Sequence, residues 1–255
     1  MLKIAIAGIS GRMGHALVDC IVGLDGVKLV GGIDRNAEGL PAGCSVEVKD
    51  TLAELSVKPD VVIDFTRPEC SLAQIDYAKD HGIAYVLGTT GFDEAGTAKI
   101  KEAATKIPLV QASNFSVGIN ILLSLIKKTA AIMQDADIEI VEAHHRYKVD
   151  APSGTAISMG EAAAAGRNVA LKDVMVAGRS GITGERQYGT IGFSSIRGGD
   201  IVGEHTVMFC ADGERVDLSH HASSRATFAR GALRAAQWLQ GKAPGYYTMP
   251  EVLDL

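Results

Sequence analysis

The stretch Glu142-Ala143-His144-His145-Arg146-Tyr147-Lys148-Val149-Asp150-Ala151-Pro152-Ser153-Gly154-Thr155 concentrates more chemistry than any other part of this 255-residue chain. Two histidines, an arginine and a lysine crowd the end of an apolar run, Ile138–Ala143, that reads as a strand. Ser153-Gly154-Thr155 then opens a helical pattern, and the first amides of a helix carry partial positive charge that favours an anion. Such a segment is built to grip a small polyanion, and a histidine titrating near neutrality can deliver a proton there. Adjacent histidines on a strand point to opposite faces, and no third ligand stands at a recognisable spacing, so a metal site is not expected.

A second constellation lies at the N-terminus. Gly8-Ile9-Ser10-Gly11-Arg12-Met13-Gly14 follows the apolar run Leu2–Ala7 and opens a helical pattern over about Met13–Val22. Glycines between a strand and a helix let the backbone turn tightly and approach a pyrophosphate. The spacing G-x-x-G-x-x-G departs from the usual dinucleotide fingerprint, but its position fits, and Asp34 ends the second strand, Val27–Ile33, where a carboxylate accepts from ribose hydroxyls. Arg35 and Arg12 are placed to receive a 2′-phosphate. Both NADH and NADPH are therefore candidate cofactors. Gly88-Thr89-Thr90 and Ala112-Ser113-Asn114-Phe115 follow further short strands and can supply backbone contacts to the nicotinamide end.

The elements that must position these groups are legible as alternation. Short β-rich runs (Val61–Asp64, Ala84–Leu87, Leu109–Ala112) are separated by helical segments at about Glu69–His81 and Asp93–Thr105. That order predicts βαβ units and a parallel sheet covered on both faces. After Phe115 the rhythm changes: a long helix over Val117–Met133, the strand Ile138–Ala143, and a helix from about Gly154 to Ala165. Mostly strand follows, at Val174–Ala177, Thr190–Ile196, Glu204–Phe209 and Arg215–His220. The glycine-rich loop Gly178–Gly189 is either an exposed linker or an interface arm. A last helix, about Arg225–Leu239, has an apolar side suited to packing back on the first domain. The expected fold is α/β: a Rossmann-like parallel-sheet nucleotide domain (1–115 and 226–255) and an α+β domain with a mixed sheet (116–225).

Composition narrows the function classes. A hydrophobic share of 47% with 22% charged residues belongs to a well-cored globular protein. A net charge of −5 argues against general nucleic-acid binding. No apolar stretch reaches the length of a membrane span. The four scattered cysteines read as buried small residues in a reducing compartment, which makes the cytoplasm the expected location.

The run EAHHRYKVDAPSGTA resembles the signature of the 4-hydroxy-tetrahydrodipicolinate reductase (dihydrodipicolinate reductase) family of the diaminopimelate route to lysine. AIAGISGRMG, VVIDFTRPE, VLGTTGFDEAG, ASNFSVGIN, GERQYGTIGF, RGGDIVGEHTVMF and HHASSRATFARGA resemble that family too. The resemblance implies that His144 is the proton donor and acceptor, and Lys148 the second proton donor. It implies that His145, Gly154 and Thr155 bind the carboxylates of a small dicarboxylate substrate. Gly8, Ile9, Ser10, Gly11, Arg12, Met13, Asp34, Arg35, Gly88, Thr89, Thr90, Ala112, Ser113, Asn114 and Phe115 would bind NADH or NADPH. It implies a two-domain homotetramer whose domains close over their ligands. The segment Asn36–Val46 departs from the pattern, being shorter than in some relatives where it borders the adenine ribose. Two other readings compete: a dehydrogenase acting on an amino acid or sugar, which needs no His144–Thr155 segment, and a nucleotide sensor that has lost catalysis, which should have shed His144 or Lys148.

Overall fold

The computed structural model describes residues 1–35, 40 and 44–255, so most of the short Asn36–Val46 segment lies outside the described residues. The chain divides into two compact units, Met1–Val117 with Arg225–Leu255, and Gly118–Ser224.

The first unit is a seven-stranded parallel sheet. Its strands are β1 (Leu2–Ala7), β2 (Val27–Ile33), β3 (Val48–Lys49), β4 (Val61–Asp64), β5 (Ala84–Leu87), β6 (Pro108–Gln111) and, from the C-terminal segment, β12 (Gly245–Tyr247). The spatial order is β12-β6-β5-β4-β1-β2-β3, and every pairing is parallel. Helices α1 (Arg12–Ile21), α2 (Pro68–His81) and α3 (Glu94–Ala104) connect the strands.

Strand β1 shows why its sequence is a continuous apolar run. Leu2, Ile4 and Ile6 enter one core with α1, while Ala5 and Ala7 enter the core on the opposite face of the sheet. A strand covered on both sides has no polar face to display. Helix α2 begins with proline at its first turn and ends at Gly82, whose φ of +63° suits glycine.

The second unit holds α4 (Val117–Ile132), β7 (Asp137–His144), α5 (Gly154–Gly166), α6 (Leu171–Val174), β8 (Met175–Ala177), β9 (Ile191–Arg197), β10 (Gly203–Ala211) and β11 (Glu214–Ala222). Its mixed sheet has the order β11-β10-β7-β9-β8; β7 runs parallel to β9 and antiparallel to β10. Ile138, Ile140, Val207 and Phe209 pack with Ile119, Ile126, Met159 and Ala163 of α4 and α5 in one core.

The returning segment contains α7 (Ala226–Trp238), β12 and α8 (Met249–Leu253). Helix α7 buries Ala229, Ala232, Leu233 and Ala236 in the core that α1 also lines. Strand β12, three residues beside β6, was too short for a periodicity argument to find.

The loop over 178–189, which sequence alone leaves undecided, is pinned to β7. Arg179 makes a two-pronged bond to the Glu139 carboxylate, and Arg186 bonds both Glu139 and Asp137. The Glu139 carboxylate lies where a side chain on Gly192 would stand, 2.0 Å from that position. All four cysteines are free thiols, and each is half-buried, less enclosed than the buried small residues expected from the sequence.

Candidate active site

The first unit gathers the expected nucleotide-contacting residues at the C-terminal ends of β1, β2, β5 and β6. Parallel strands place those ends on one edge of the sheet. Gly8 turns out of β1 with φ +76°, and its carbonyl accepts the Gly11 N–H at 3.0 Å. A side chain on Gly14 would stand 2.2 Å from the Ile9 carbonyl oxygen and 2.4 Å from that of Gly8. The loop therefore lies flush on the start of α1, the cradle a pyrophosphate needs.

Asp34 belongs to the same device, because its carboxylate accepts the Ser10 N–H at 3.1 Å. Arg12 and Arg35 are exposed and Met13 is half-buried. Ile9 is fully enclosed and packs over Gly32, so only its main chain can meet a ligand. The same holds for Phe115, whose ring is buried edge-to-face against Phe65.

Gly88-Thr89-Thr90 rests on a buried polar cluster that sequence reasoning missed. Asp64, with no exposed surface, accepts from Thr66 N–H (2.9 Å), Thr66 Oγ1 (2.7 Å), Tyr85 Oη (2.6 Å) and Thr89 Oγ1 (3.2 Å). Burial first, then the Asp64 charge, push the Tyr85 phenol well up, so it remains a donor. Thr89 thus spends its hydroxyl on structure while Thr90 is exposed. The available signal was an acid ending the otherwise apolar strand Val61–Asp64. Ala112, Ser113 and Asn114 follow β6, and Asn114 Oδ1 accepts the Ser116 N–H at 2.8 Å.

The second unit carries its own cluster of charged and titratable side chains. Side chains two apart on a strand share a face, so Glu142 and His144 stand together on β7. The parallel register sets Arg197 of β9 beside His144, and the antiparallel one sets His205 of β10 beside Glu142. His144 Nδ1 lies 2.6 Å from Glu142 Oε2, and Arg197 grips both carboxylate oxygens at 2.7 and 2.8 Å. Burial alone raises the Glu142 carboxyl, but Arg197, His144 and Ser195 outweigh it and hold it down at about 2.

Burial lowers the His144 imidazole, against the raising pull of Glu142. Lys148 Nζ sits on the Asp150 carboxylate at 2.7 and 2.9 Å. Burial would raise Asp150, but the Lys148 ammonium lowers it. His145 bonds the Ile201 carbonyl through its main chain, and its buried Nδ1 meets no protein partner. Ser153 caps α5, its Oγ accepting the Ala156 N–H, and Gly154 and Thr155 open the helix. A side chain added at Gly154 would enter open space.

His205 is the second residue that sequence reasoning missed. It is 4% exposed, its Nε2 lies 3.0 Å from Ser153 Oγ, and its ring meets that of His144 edge-to-face. Burial, then the neighbouring His144, push its imidazole from 6.5 down to about 4. Native His205 is therefore neutral between those values while the unfolded chain binds a proton. Stability present above about pH 6.5 is lost as the pH falls through 4, by on the order of 3 kcal/mol. Glu142 adds the same trend lower, between its usual carboxylate range and about 2. We expect the melting temperature to fall between pH 7 and pH 4.5, and His205→Asn to flatten that slope. An unchanged slope in the variant would remove His205 as its cause.

Among the described residues no group of three or more His, Cys, Asp or Glu side chains can hold a metal ion. No helix among them is long and apolar enough to cross a membrane.

Family models described as dihydrodipicolinate reductase, N-terminus, and dihydrodipicolinate reductase, C-terminus, match residues 2–115 and 118–253. The chain is 50% identical to a 4-hydroxy-tetrahydrodipicolinate reductase of Thiobacillus denitrificans, over 100% of this chain and 99% of that one. It superposes with a TM-score of 0.80 on a dipicolinate-bound dihydrodipicolinate reductase from Paenisporosarcina sp., at 25% identity over 98% of both chains. A probable dehydrogenase from Thermotoga maritima shares the fold alone, with a TM-score of 0.64 at 11% identity, over 99% of this chain and 93% of that one.

Proposed function

Because the chain belongs to the dihydrodipicolinate reductase family, we propose that it reduces 4-hydroxy-tetrahydrodipicolinate, through dihydrodipicolinate, to tetrahydrodipicolinate, with His144 and Lys148 handling the proton. It is an NAD(P)H-dependent oxidoreductase of lysine and diaminopimelate biosynthesis, and its substrate is a small dicarboxylate. The observation that carries the assignment of roles is the cluster Glu142–His144–Lys148 beside the start of α5.

The glycine loop fits a dinucleotide, since Gly14 lets the Gly8 and Ile9 carbonyls lie directly on the start of α1, beside Asp34. Gly8 to Met13, Asp34, Arg35, Gly88 to Thr90 and Ala112 to Phe115 would hold NADH or NADPH. When bound, the nicotinamide supplies the hydride that saturates C4 of the dihydropyridine ring. On the protein side, the amides of Gly154 and Thr155 at the start of α5, with His145, receive the substrate carboxylates. Lys148, its side chain held by Asp150, stabilises the negative charge that builds on the ring as the bond saturates. Burial lowers the proton affinity of His144 against the pull of Glu142, so a proton taken up on the ring is readily passed on.

The reading extends to a homotetramer in the cytoplasm, which the family resemblance supports; a monomer by sedimentation equilibrium would overturn the tetramer. The deciding assay follows loss of the reduced nicotinamide absorbance with each cofactor, with substrate made in place from pyruvate and aspartate semialdehyde by the upstream synthase. Rapid oxidation that depends on that substrate is expected. Cofactor binding without turnover would favour a sensor instead.

Cofactor choice gives a separate expectation. Arg35→Ala should raise the NADPH KM about tenfold, the value of one charge-assisted phosphate contact, and spare that of NADH. An unchanged ratio of the two would hand the 2′-phosphate to Arg12.

A further inference from the structure

We propose that Glu142, clamped by Arg197, is a positioning residue that sets which nitrogen of His144 carries the proton and ties the Lys148 loop to the same carboxylate. This rests on the proton-handling roles given to His144 and Lys148, and adds the group that prepares both.

Glu142 is 1% exposed, and its two oxygens accept from His144 on its own strand, Arg197 on β9 and the Ser153 N–H ahead of α5. His144 Nδ1 and Arg197 Nη1 bond Oε2, at 2.6 and 2.8 Å; Arg197 Nη2 and the Ser153 N–H bond Oε1, at 2.7 and 3.2 Å. An ionised carboxylate only accepts. The His144 nitrogen that faces it must therefore carry the hydrogen, which leaves the lone pair of the neutral ring on Nε2. That edge is turned toward Gly203, where a side chain would stand 3.1 Å from Nε2. Glycine there leaves the proton-transfer nitrogen unobstructed.

The guanidinium does a second task. Arg197 Nη2 also bonds the Asp150 carbonyl at 2.6 Å, and the Asp150 carboxylate holds Lys148. One buried carboxylate thus orients His144 directly and ties down the Lys148 loop through Arg197. A buried pair kept for stability alone is a weak device, because desolvation offsets most of the attraction. Directing a third, titrating ring is a use that stability does not require.

The charged and titratable groups facing His144 are Glu142 on its own strand, Arg197 on β9, His205 on β10 and Lys148 in the loop. Of these only Glu142 raises its proton affinity to any effect, against burial and the two cations. Removing that charge must move the His144 limb of the pH–rate profile to lower pH.

The test uses the full chain. Nitrogen-15 NMR of the wild-type histidines at neutral pH should give His144 as the Nδ1–H tautomer; the Nε2–H form would overturn the proposal without any variant. In Glu142→Gln one oxygen remains, and with it on Arg197 the amide NH2 faces His144, so the Nε2–H form should gain. That variant should lose kcat by about 10²-fold, the scale of one misdirected general acid. Its limb should shift to lower pH while NADH affinity stays within about twofold, and Glu142→Asp should restore the wild-type limb.

A Glu142→Gln protein with the wild-type tautomer and limb, merely less stable, would make Glu142 structural only. Arg197→Lys, which keeps the charge but loses the second prong, tests the bridge: wild-type kcat in that variant would sink it. The tautomer is read without turnover, so a protein that fails to reduce the dicarboxylate would fault the proposed reaction and leave this reading testable.

Discussion

Lys148→Ala is expected to lower kcat by about 10²- to 10⁴-fold, the range of a lost proton donor, while NADH affinity changes by less than about twofold. The argument is one of location. Lys148 lies in the second unit, in the loop between β7 and α5, and its ammonium is held by Asp150. The residues assigned to the cofactor all lie in the first unit. A group that acts on the reacting ring should therefore touch turnover and leave the nucleotide alone. Single-turnover rates, with NADH affinity from fluorescence titration, separate the two. Lys148→Arg sharpens the result: it keeps a positive charge beside the ring, but a guanidinium does not give up a proton. Equal losses of kcat and NADH affinity in the alanine variant would show that Lys148 has been given the wrong role.

Gly14→Ala is expected to weaken NADH binding by about 10²-fold, equivalent to about 3 kcal/mol. The new methyl would lie 2.2 Å from one main-chain oxygen and 2.4 Å from another. Neither oxygen is the end of a flexible side chain. The loop must lift from α1, which removes the close approach that the pyrophosphate needs, and overpacking of this kind costs about 1–3 kcal/mol in stability as well. Gly11→Ala is the control. Its methyl would stand 3.2 Å from the Gly8 oxygen, at an exposed position, so its effect should be several-fold smaller. Wild-type NADH affinity in Gly14→Ala would mean that this turn is not the cradle.

The local geometry of both residue clusters was legible because it is local in sequence. The run Leu2–Ala7, the glycines after it and Asp34 sit within one βαβ unit, where strand, turn and helix follow from a short stretch of chain. Ser153, Gly154 and Thr155 announce a helix start in the same way. Burial was less legible than identity. Ile9, Phe115 and Thr89 were candidates by position, yet their side chains turn into the core or bond Asp64, leaving their main chains for a ligand.

The sequence by itself determined the alternating sheet, the glycine turn after β1 and the crowding of His144, His145 and Lys148 into one segment, since each depends on residues a few positions apart. Tertiary structure alone decided how His144 is tuned. Arg197 reaches Glu142 from 55 residues away, and His205 reaches Ser153 from 52. In the linear chain both lie within RGGDIVGEHTVMF, far from Glu142, and nothing local gives either a role. Only strand register brings them to β7, and register comes from packing one whole sheet face against α4 and α5 rather than from any local preference. The same pairing makes Glu142 a buried acceptor for His144 Nδ1 and Arg197.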